Sequence, residues 1–254
     1  ETYPYYDPTT RGVRFDAMLR ALAAAPAGTI VVLHACCHNP TGCDLDAAQW
    51  ARVVQVVRER ALVPFVDLAY QGFAEGLAED ELAVREFLAA GMEFLVASSF
   101  SKNFSLYGER VGALSVVCAG KDDAARVLSQ LKIVGRTNYS NPPTHGARIV
   151  TTVLENVALR RQWEEELAGM RTRIREMRRL LAEGLAAAGA PVDTGFIQRQ
   201  RGMFSYSGLG AAQMQRLRSE FGVYGVDSGR ICVAALNRRN LPHVIESVAA
   251  VMKA

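Results

Sequence analysis

Short apolar runs alternate with longer amphipathic segments over the first hundred residues. Helical spacing of the apolar positions predicts helices over residues 15–25, from Asp44 or Asp46 to residue 60, and over 81–90. Continuous runs of β-branched and aromatic residues predict strands over 29–34, 62–66 and 94–97, the first of them buried on both faces. Because helices separate these strands, we predict an α/β fold with a mostly parallel sheet flanked by helices.

The second half of the chain begins with a strand and then becomes largely helical. The patterns predict a strand over 111–118, antiparallel to its neighbour, and helices over 121–134, 145–156 and 157–188, with a sharp break at 136–143. Shorter elements follow Pro191, namely strands over 203–206 and 230–234 and helices over 211–221 and 241–252. We therefore predict that residues 1–169 form part of a large domain and that residues 170–254 form a smaller α+β domain.

Composition and charge narrow the possible partners. The net charge of the 254 residues is only +3, and glutamates interleave with the arginines of residues 160–179, which is typical of a solvated helix and not of a nucleic-acid surface. No apolar run reaches transmembrane length, and the first residues do not resemble a signal peptide. The five cysteines are an odd number, which favours a reducing compartment. We predict a cytoplasmic protein without a nucleic-acid or membrane partner.

Histidines and cysteines cluster after the strand at 29–34. His34, Cys36 and His38, with Cys37 and Cys43 nearby, would suit a metal-binding module. Adjacent cysteines do not easily bind one tetrahedral ion, however, and the chain has no second pair of cysteines with ligand spacing. We therefore predict no metal and keep the metal-binding module as an alternative.

Polar residues follow each of the first three predicted strands. Asn39 follows the first strand, Asp67 the second, and Ser99, Ser101 and Lys102 the third. Right-handed crossovers bring the carboxyl ends of parallel strands to one edge, where ligands bind in α/β sheets. The serine hydroxyls and Arg110 suit a phosphate, and a deprotonated lysine can form a Schiff base with an aldehyde. Pyridoxal 5'-phosphate has both groups, although a basic surface turn is the alternative for this stretch alone.

Each residue at this edge then has an expected role toward the cofactor. Lys102 would bind the aldehyde and move a proton between the substrate and the cofactor. Asp67 would keep the pyridinium nitrogen protonated, so that the ring accepts electrons. Tyr70 and Asn39 would donate hydrogen bonds to the phenolate oxygen of the ring. Ser99, Ser101 and Arg110 would hold the phosphate.

Six motifs in order along the chain carry a family resemblance. They are His38-Asn-Pro-Thr-Gly42, Asp67-Leu-Ala-Tyr70, Ser99-Phe-Ser-Lys-Asn103, Glu109-Arg-Val-Gly112, Arg136-Thr-Asn-Tyr-Ser-Asn-Pro-Pro143 and Gly229-Arg230. Together they resemble the class I aspartate and aromatic amino acid aminotransferases, which are fold-type I pyridoxal-phosphate enzymes. The resemblance extends over the whole chain, and the segment Gln200-Arg-Gly-Met-Phe204 is similar to the aspartate/aromatic branch.

The resemblance also implies roles that the spacing does not reveal. Arg230 would bind the α-carboxylate of the substrate, and Phe204 would lie close to the substrate. Arg136 would reach the active site of the partner subunit and bind a dicarboxylate side chain, which implies a homodimer. Asn39 would contact the substrate as well as the cofactor, and His34 would lie near the cofactor ring without contacting it directly. The catalytic residues would be Lys102, Asp67 and Tyr70.

The resemblance implies ping-pong transamination between an L-amino acid, aromatic or aspartate, and 2-oxoglutarate. We expect aromatic or broad specificity in preference to strict aspartate specificity. Members of the family begin well before the residue that aligns with Glu1, so we expect this chain to be the C-terminal part of a longer enzyme, with an unpaired edge on its parallel sheet. Two further alternatives are another pyridoxal-phosphate reaction on amino acids and a fragment that folds without catalysis.

Overall fold

The computed structural model describes residues 1–253, in which nine α-helices and eight short strands follow one another. In chain order they are β1 (Tyr6–Asp7), β2 (Gly12–Val13), α1 (Phe15–Ala24), β3 (Ile30–His34), α2 (Ala47–Glu59), β4 (Val63–Leu68), α3 (Leu82–Ala89), β5 (Phe94–Ser99), β6 (Gly112–Val117), α4 (Lys121–Tyr139), α5 (His145–Glu155), α6 (Val157–Ala187), α7 (Phe196–Arg199), β7 (Phe204–Tyr206), α8 (Ala211–Phe221), β8 (Arg230–Cys232) and α9 (Leu241–Lys253). The helix and strand bounds agree with the predicted ones to within a few residues at most positions. Ala254, the last residue of the predicted small domain, lies outside the described residues.

A four-stranded sheet in the order β3-β4-β5-β6 organises the first half of the chain. β3, β4 and β5 are parallel, and β6 pairs antiparallel with β5, so the predicted sheet is confirmed. Asp46 begins α2 through a capping box with Gln49, and Val53 and Val57 of this helix are fully buried. The apolar face of α2 thus belongs to the hydrophobic core that also contains Val31 and Leu33 of β3.

The prediction that the first strand is buried on both faces is wrong. Val31 and Leu33 of β3 are buried, but Ile30 and Val32 are 63% and 50% exposed. β3 and β6 are the two edges of the sheet, and Leu114 of β6 is also exposed. A β-branched run shows that a strand forms, but the layers packed around the strand decide whether its second face is covered.

The predicted break at residues 136–143 begins later than expected. α4 continues through Arg136 to Tyr139, and the chain turns at Ser140, where φ is +67°. Within this last turn the hydroxyl of Thr137 donates to the carbonyl oxygens of Ile133 and Val134. The helix therefore stops before Pro142, whose ring cannot continue it.

α6 is the longest element and contacts both halves of the chain. It packs against α5 at one end and against α7 and α9 at the other, and Leu167, Leu181 and Leu185 on its inner face are buried. The small antiparallel pair β7–β8 lies in the C-terminal part with α8 and α9. The short pair β1–β2 and the single-turn α7 were missed by the sequence patterns because such short elements have no periodicity. Among residues 1–253, no helix is both long and apolar enough to cross a membrane.

Candidate active site

The carboxyl ends of the three parallel strands meet at one edge of the sheet. His34 at the end of β3 is paired with Asp67 in β4, and Asp67 is paired with Ala97 in β5. The polar turns that follow the strands therefore start side by side. The charge of Asp67 raises the pKa of His34, but burial has the larger effect and leaves that pKa below its usual value.

Four predicted site residues lie in one cluster. Nδ2 of Asn39 donates a hydrogen bond to Oη of Tyr70 at 3.2 Å, and Nη1 of Arg230 donates to Oδ1 of Asn39 at 3.3 Å. The ammonium nitrogen of Lys102 lies 4.8 Å from the centre of the Tyr70 ring. Burial raises the pKa of the Tyr70 phenol, and the hydrogen bond from Asn39 opposes this effect. The cluster thus combines an amine, a phenol, an amide and a guanidinium.

β7 and β8 bring Phe204 and Arg230 to this cluster from the C-terminal part of the chain. Tyr206 is paired with Arg230, so Phe204, two residues earlier on β7, lies diagonally across from Arg230 on the same face. The Phe204 ring lies 4.9 Å from the guanidinium carbon of Arg230 and makes an edge contact with Tyr70 at 6.3 Å between ring centres. Arg230 is thereby held between an aromatic face and Asn39.

The turn that carries Asn39 is held by the half-buried carboxylate of Asp44. Asp44 accepts hydrogen bonds from the backbone N–H groups of Cys37 at 2.7 Å and His38 at 2.8 Å. Burial raises the pKa of Asp44 to about 6, against the opposing effect of these two bonds. Gly42 has φ of +71°, and a Cβ there would lie 2.8 Å from the carbonyl oxygen of Phe204. The turn therefore packs directly on the segment that carries Phe204.

The side-chain polar groups of Lys102 and Asp67 have no hydrogen-bond or ion-pair partner in the described residues. Within residues 1–253, no hydrogen bond or ion pair involves the Lys102 ammonium or the Asp67 carboxylate. Tyr107, an exposed residue that the sequence reasoning did not single out, has its ring centre 5.4 Å from the Lys102 ammonium. A half-buried amine and a half-buried carboxylate at neighbouring strand ends remain available to a ligand.

The predicted phosphate-binding residues are only partly assembled. Oγ of Ser99 accepts a hydrogen bond from the backbone N–H of Ser101 at 3.2 Å, and Ser101 is buried. Arg110 is exposed, has φ of +52° and donates to the carbonyl oxygen of Tyr107 at 3.0 Å. In the described part of the chain, no hydrogen bond joins Arg110 to either serine.

Arg136 lies apart from the cluster within this chain. It is exposed in the last turn of α4 and donates to Oγ of Ser140 at 2.8 Å. No contact in residues 1–253 links it to Arg230 or Lys102. The role expected for Arg136 in a partner subunit stays a prediction.

Of the three ligands in the alternative metal-binding module, only Cys36 belongs to a group of donors within residues 1–253 close enough to share an ion. In the described residues, the side chains of Cys36, Cys37 and Asp80 offer ligand atoms within 4.8 Å of one another, whereas His34 and His38 are not part of this group. The Asp80 carboxylate already accepts four backbone hydrogen bonds, from Gly72, Ala74, Glu75 and Gly76. Asp80 therefore organises the loop after Tyr70, and the cysteines are two of the five free thiols of the chain.

α6 supports the site through residues that resembled a solvated helix in the sequence. Nε1 of Trp163 donates to the carbonyl oxygen of Asn103 at 2.7 Å, directly after Lys102. Nη1 of Arg171 donates to the carbonyl oxygen of Gly72 at 2.7 Å, in the loop after Tyr70. The only sequence signal was a tryptophan and closely spaced arginines in a helix otherwise rich in exposed charge, which does not reveal distant backbone partners.

Comparisons with known proteins cover almost the whole chain. The sequence model of the family described as aminotransferase class I and II matches residues 1–248. The chain is 57% identical to an aspartate aminotransferase of Pseudomonas aeruginosa and 52% identical to an aromatic-amino-acid aminotransferase of Escherichia coli, in each case over 99% of this chain and 63% of the relative. The chain thus spans 63% of the length of these relatives.

The chain is also similar to solved structures of aminotransferases. The structure of an aromatic-amino-acid aminotransferase from Burkholderia pseudomallei, covalently bound to pyridoxal phosphate, superimposes with a TM-score of 0.97 at 64% identity, over 98% of this chain and 63% of that one. An aromatic amino acid aminotransferase from Psychrobacter, cocrystallised with aspartic acid, has a TM-score of 0.97 at 45% identity, over 99% of this chain and 63% of that one.

Proposed function

Because the chain belongs to the class I and II aminotransferase family, we propose that it carries the catalytic lysine and the carboxylate-binding arginine of a pyridoxal-phosphate-dependent transaminase. The reaction would transfer an amino group from an L-amino acid, aromatic or aspartate, to 2-oxoglutarate by ping-pong chemistry. The observation that carries this proposal is the contact chain from Lys102 over Tyr70 and Asn39 to Arg230. This chain of contacts connects an amine that can bind an aldehyde with a guanidinium that can bind a carboxylate.

The residues present fit pyridoxal phosphate. The Lys102 amine would bind the aldehyde, and the Asp67 carboxylate would pair with the pyridinium nitrogen, since neither group has a hydrogen-bond or ion-pair partner in the described residues. Tyr70 and Asn39 would donate to the ring oxygen, and Ser99, Ser101 and Arg110 would hold the phosphate. When bound there, the cofactor supplies an electron sink for the α-carbon of the substrate.

Arg230 would bind the substrate, and Lys102 would transfer its proton. Arg230 donates one N–H to Asn39, and its remaining N–H groups are available for a bidentate pair with the α-carboxylate. Phe204 limits where that carboxylate can lie because its ring covers one side of the guanidinium. The Lys102 amine would then remove the proton from the α-carbon and return one in the second half-reaction.

The range of substrates rests on Arg136 and Phe204. An arginine at position 136 of a partner subunit would pair with the side-chain carboxylate of aspartate or glutamate, so we propose a homodimer with shared sites. The aromatic surface of Phe204 and Tyr70 suits an aromatic side chain. Aspartate and aromatic relatives match the chain equally well in coverage, and we retain broad or aromatic specificity as the proposal.

Two further parts of the proposal concern organisation and location. We propose the division into residues 1–169 and 170–254, with α6 running through the boundary. The free thiol form of all five cysteines agrees with the proposed cytoplasmic location.

The test combines cofactor attachment with the half-reaction. Borohydride reduction of the purified chain with pyridoxal phosphate should fix the cofactor on the peptide that contains Lys102. An aromatic amino acid or aspartate should convert bound pyridoxal phosphate stoichiometrically to pyridoxamine phosphate, and 2-oxoglutarate should reverse this. Lys102→Ala should abolish the conversion, whereas Lys121→Ala, at the exposed start of α4, should not.

Three results would contradict the proposal in different ways. Release of ammonia or carbon dioxide without pyridoxamine phosphate would indicate another pyridoxal-phosphate reaction. Attachment without any conversion would indicate a chain that binds the cofactor but does not catalyse. Equal conversion by the Lys102→Ala variant would exclude the role of that lysine.

A further inference from the structure

Arg178 is a buried arginine without an acidic partner. It lies on the inner face of α6 and is 2% exposed. No ion pair in residues 1–253 includes it. Burial lowers the pKa of its guanidinium to about 10, so the group still carries its charge at neutral pH. Such a charge is costly to bury unless many hydrogen bonds replace the lost water.

Both Nη atoms of Arg178 donate hydrogen bonds to residues 197–205, whereas its buried Nε has no partner among the described residues. Nη1 donates to the carbonyl oxygen of Ile197 at 3.2 Å and to Oγ of Ser205. Nη2 donates to the carbonyl oxygens of Arg201 at 3.2 Å, Gly202 at 2.7 Å and Phe204 at 2.5 Å. The Arg178 side chain thus donates hydrogen bonds to four carbonyl groups within a stretch of eight residues. We call residues 197–205 the arginine-bound segment.

The arginine-bound segment is also fitted to the turn that carries Asn39. The backbone N–H of Arg201 donates to the carbonyl oxygen of Gly42 at 2.7 Å. Gly202 has φ of +76°, and a Cβ there would lie 2.4 Å from Cβ of Cys37. Because there is no space for adjustment on this side, the positions of the segment and of the Asn39 turn depend on each other.

The last residue but one of the segment is Phe204, whose ring contacts both Tyr70 and Arg230. The carbonyl group of Phe204 is held by Arg178, while its side chain covers the guanidinium of Arg230. A displacement of this backbone would therefore move the aromatic surface on which Arg230 rests. Arg178 itself contacts neither Arg230 nor Lys102.

We propose that Arg178 is a positioning residue for carboxylate binding: by holding the arginine-bound segment, it keeps Phe204 and Arg230 in the arrangement that accepts the substrate carboxylate. This inference rests on the proposed function, since it deepens the role of Arg230. A purely structural role of Arg178 would affect every ligand of the site, whereas the proposed role affects the binding of carboxylate ligands only. Substitution of Arg178 should therefore leave the attachment of the cofactor to Lys102 unchanged.

The test measures a carboxylate ligand without requiring turnover. Arg178→Lys keeps the charge but cannot reach all five acceptors, so it should weaken the binding of succinate, measured by calorimetry on the cofactor-loaded chain, roughly tenfold to a hundredfold. Arg178→Met should weaken it further. Arg179→Met is the matched control, because Arg179 is the next residue of α6 and pairs with Glu183 in solvent. It should bind succinate like the wild type.

A second measurement separates positioning from general damage. The half-reaction with an aromatic L-amino acid should show a raised KM in Arg178→Lys, whereas the half-reaction with the amine that lacks the carboxylate should keep its rate. Borohydride fixation on Lys102 should be unchanged. If both Arg178 variants fail to fold, Ser205→Ala, which removes one acceptor and leaves the arginine in place, replaces them in the same measurements.

The outcomes distinguish this inference from the proposed function. Failure of the wild-type chain to bind succinate contradicts the proposed function, and the inference with it. Wild-type binding with an unchanged affinity in Arg178→Lys overturns the inference alone. An equal loss of rate for the amino acid and its amine also overturns it, because Arg178 would then act on the whole site.

Discussion

His38 should make the stability of the chain depend on pH. Its imidazole stacks on Tyr5 with 3.9 Å between ring centres, and Nδ1 lies 2.9 Å from Oγ1 of Thr41. The ring of His34 lies 4.7 Å away. Burial, with a smaller contribution from the charge of His34, lowers the pKa of His38 from 6.5 to about 3. The folded chain thus holds this imidazole neutral where the unfolded chain protonates it.

The direction and size of the effect follow from linkage. The folded pKa lies below the unfolded one, so the contribution of His38 to stability is complete above pH 6.5 and is lost as the pH falls toward 3. Between pH 7.5 and pH 5 the loss amounts to about 2 kcal/mol. The raised pKa of Asp44, about 6, acts in the opposite direction over part of this range because the folded state then favours its protonated form.

A variant isolates the contribution of His38 from that of Asp44. His38→Gln has no titratable ring, so the free energy of unfolding of wild type minus that of the variant should fall by about 2 kcal/mol from pH 7.5 to pH 5. Urea unfolding can be followed by the fluorescence of the two tryptophans. NMR titration of the four histidines provides a direct check. Parallel pH curves for the two proteins, or a His38 ring that titrates near pH 6.5, would refute the reasoning.

Two further substitutions test the packing behind the site by urea unfolding. Gly202→Ala should lower the free energy of unfolding by about 3 kcal/mol or more, because its Cβ would lie 2.4 Å from Cβ of Cys37. The control Gly28→Ala has a similar φ of +80° but no atom within 4 Å, so it should lower this free energy by only about 1–2 kcal/mol. Equal losses would show that the contact with Cys37 relaxes freely. Asp80→Asn should lower the free energy of unfolding by about 3 kcal/mol, because an amide NH₂ replaces an oxygen that accepts hydrogen bonds from two backbone N–H groups. Glu79 is exposed, so the control Glu79→Gln should leave this free energy almost unchanged. A stable Asp80→Asn variant would mean that these hydrogen bonds contribute little.

Local patterns were sufficient for most of the secondary structure. The predicted bounds of α8 agree with the observed Ala211–Phe221, and the apolar stripe of α2 is buried as predicted. Both depend on spacing within one helix, which the sequence contains in full. The end of α4 was placed too early: the helix continues to Tyr139, and the chain turns only at Ser140.

The candidate site was predictable to the extent that its residues follow strands. Asn39, Asp67 and Lys102 were found because parallel strands present their carboxyl ends at one edge. Without the family motifs, Arg230 and Phe204 would have had no such signal, since β7 and β8 belong to a different sheet. Arg178 was missed because its partners are carbonyl groups 19 or more residues away along the chain.

The sequence by itself determined which segments become helices and strands and which side chains stand at the strand ends, because these depend on residues a few positions apart. Only the tertiary structure decided that β3 leaves one face exposed and that Arg230 lies against both Asn39 and Phe204. It also decided that the buried guanidinium of Arg178 holds the arginine-bound segment, which includes Phe204. These features arise from contacts between distant parts of the chain, whose free energies depend on packing and burial and leave no periodic trace in the sequence.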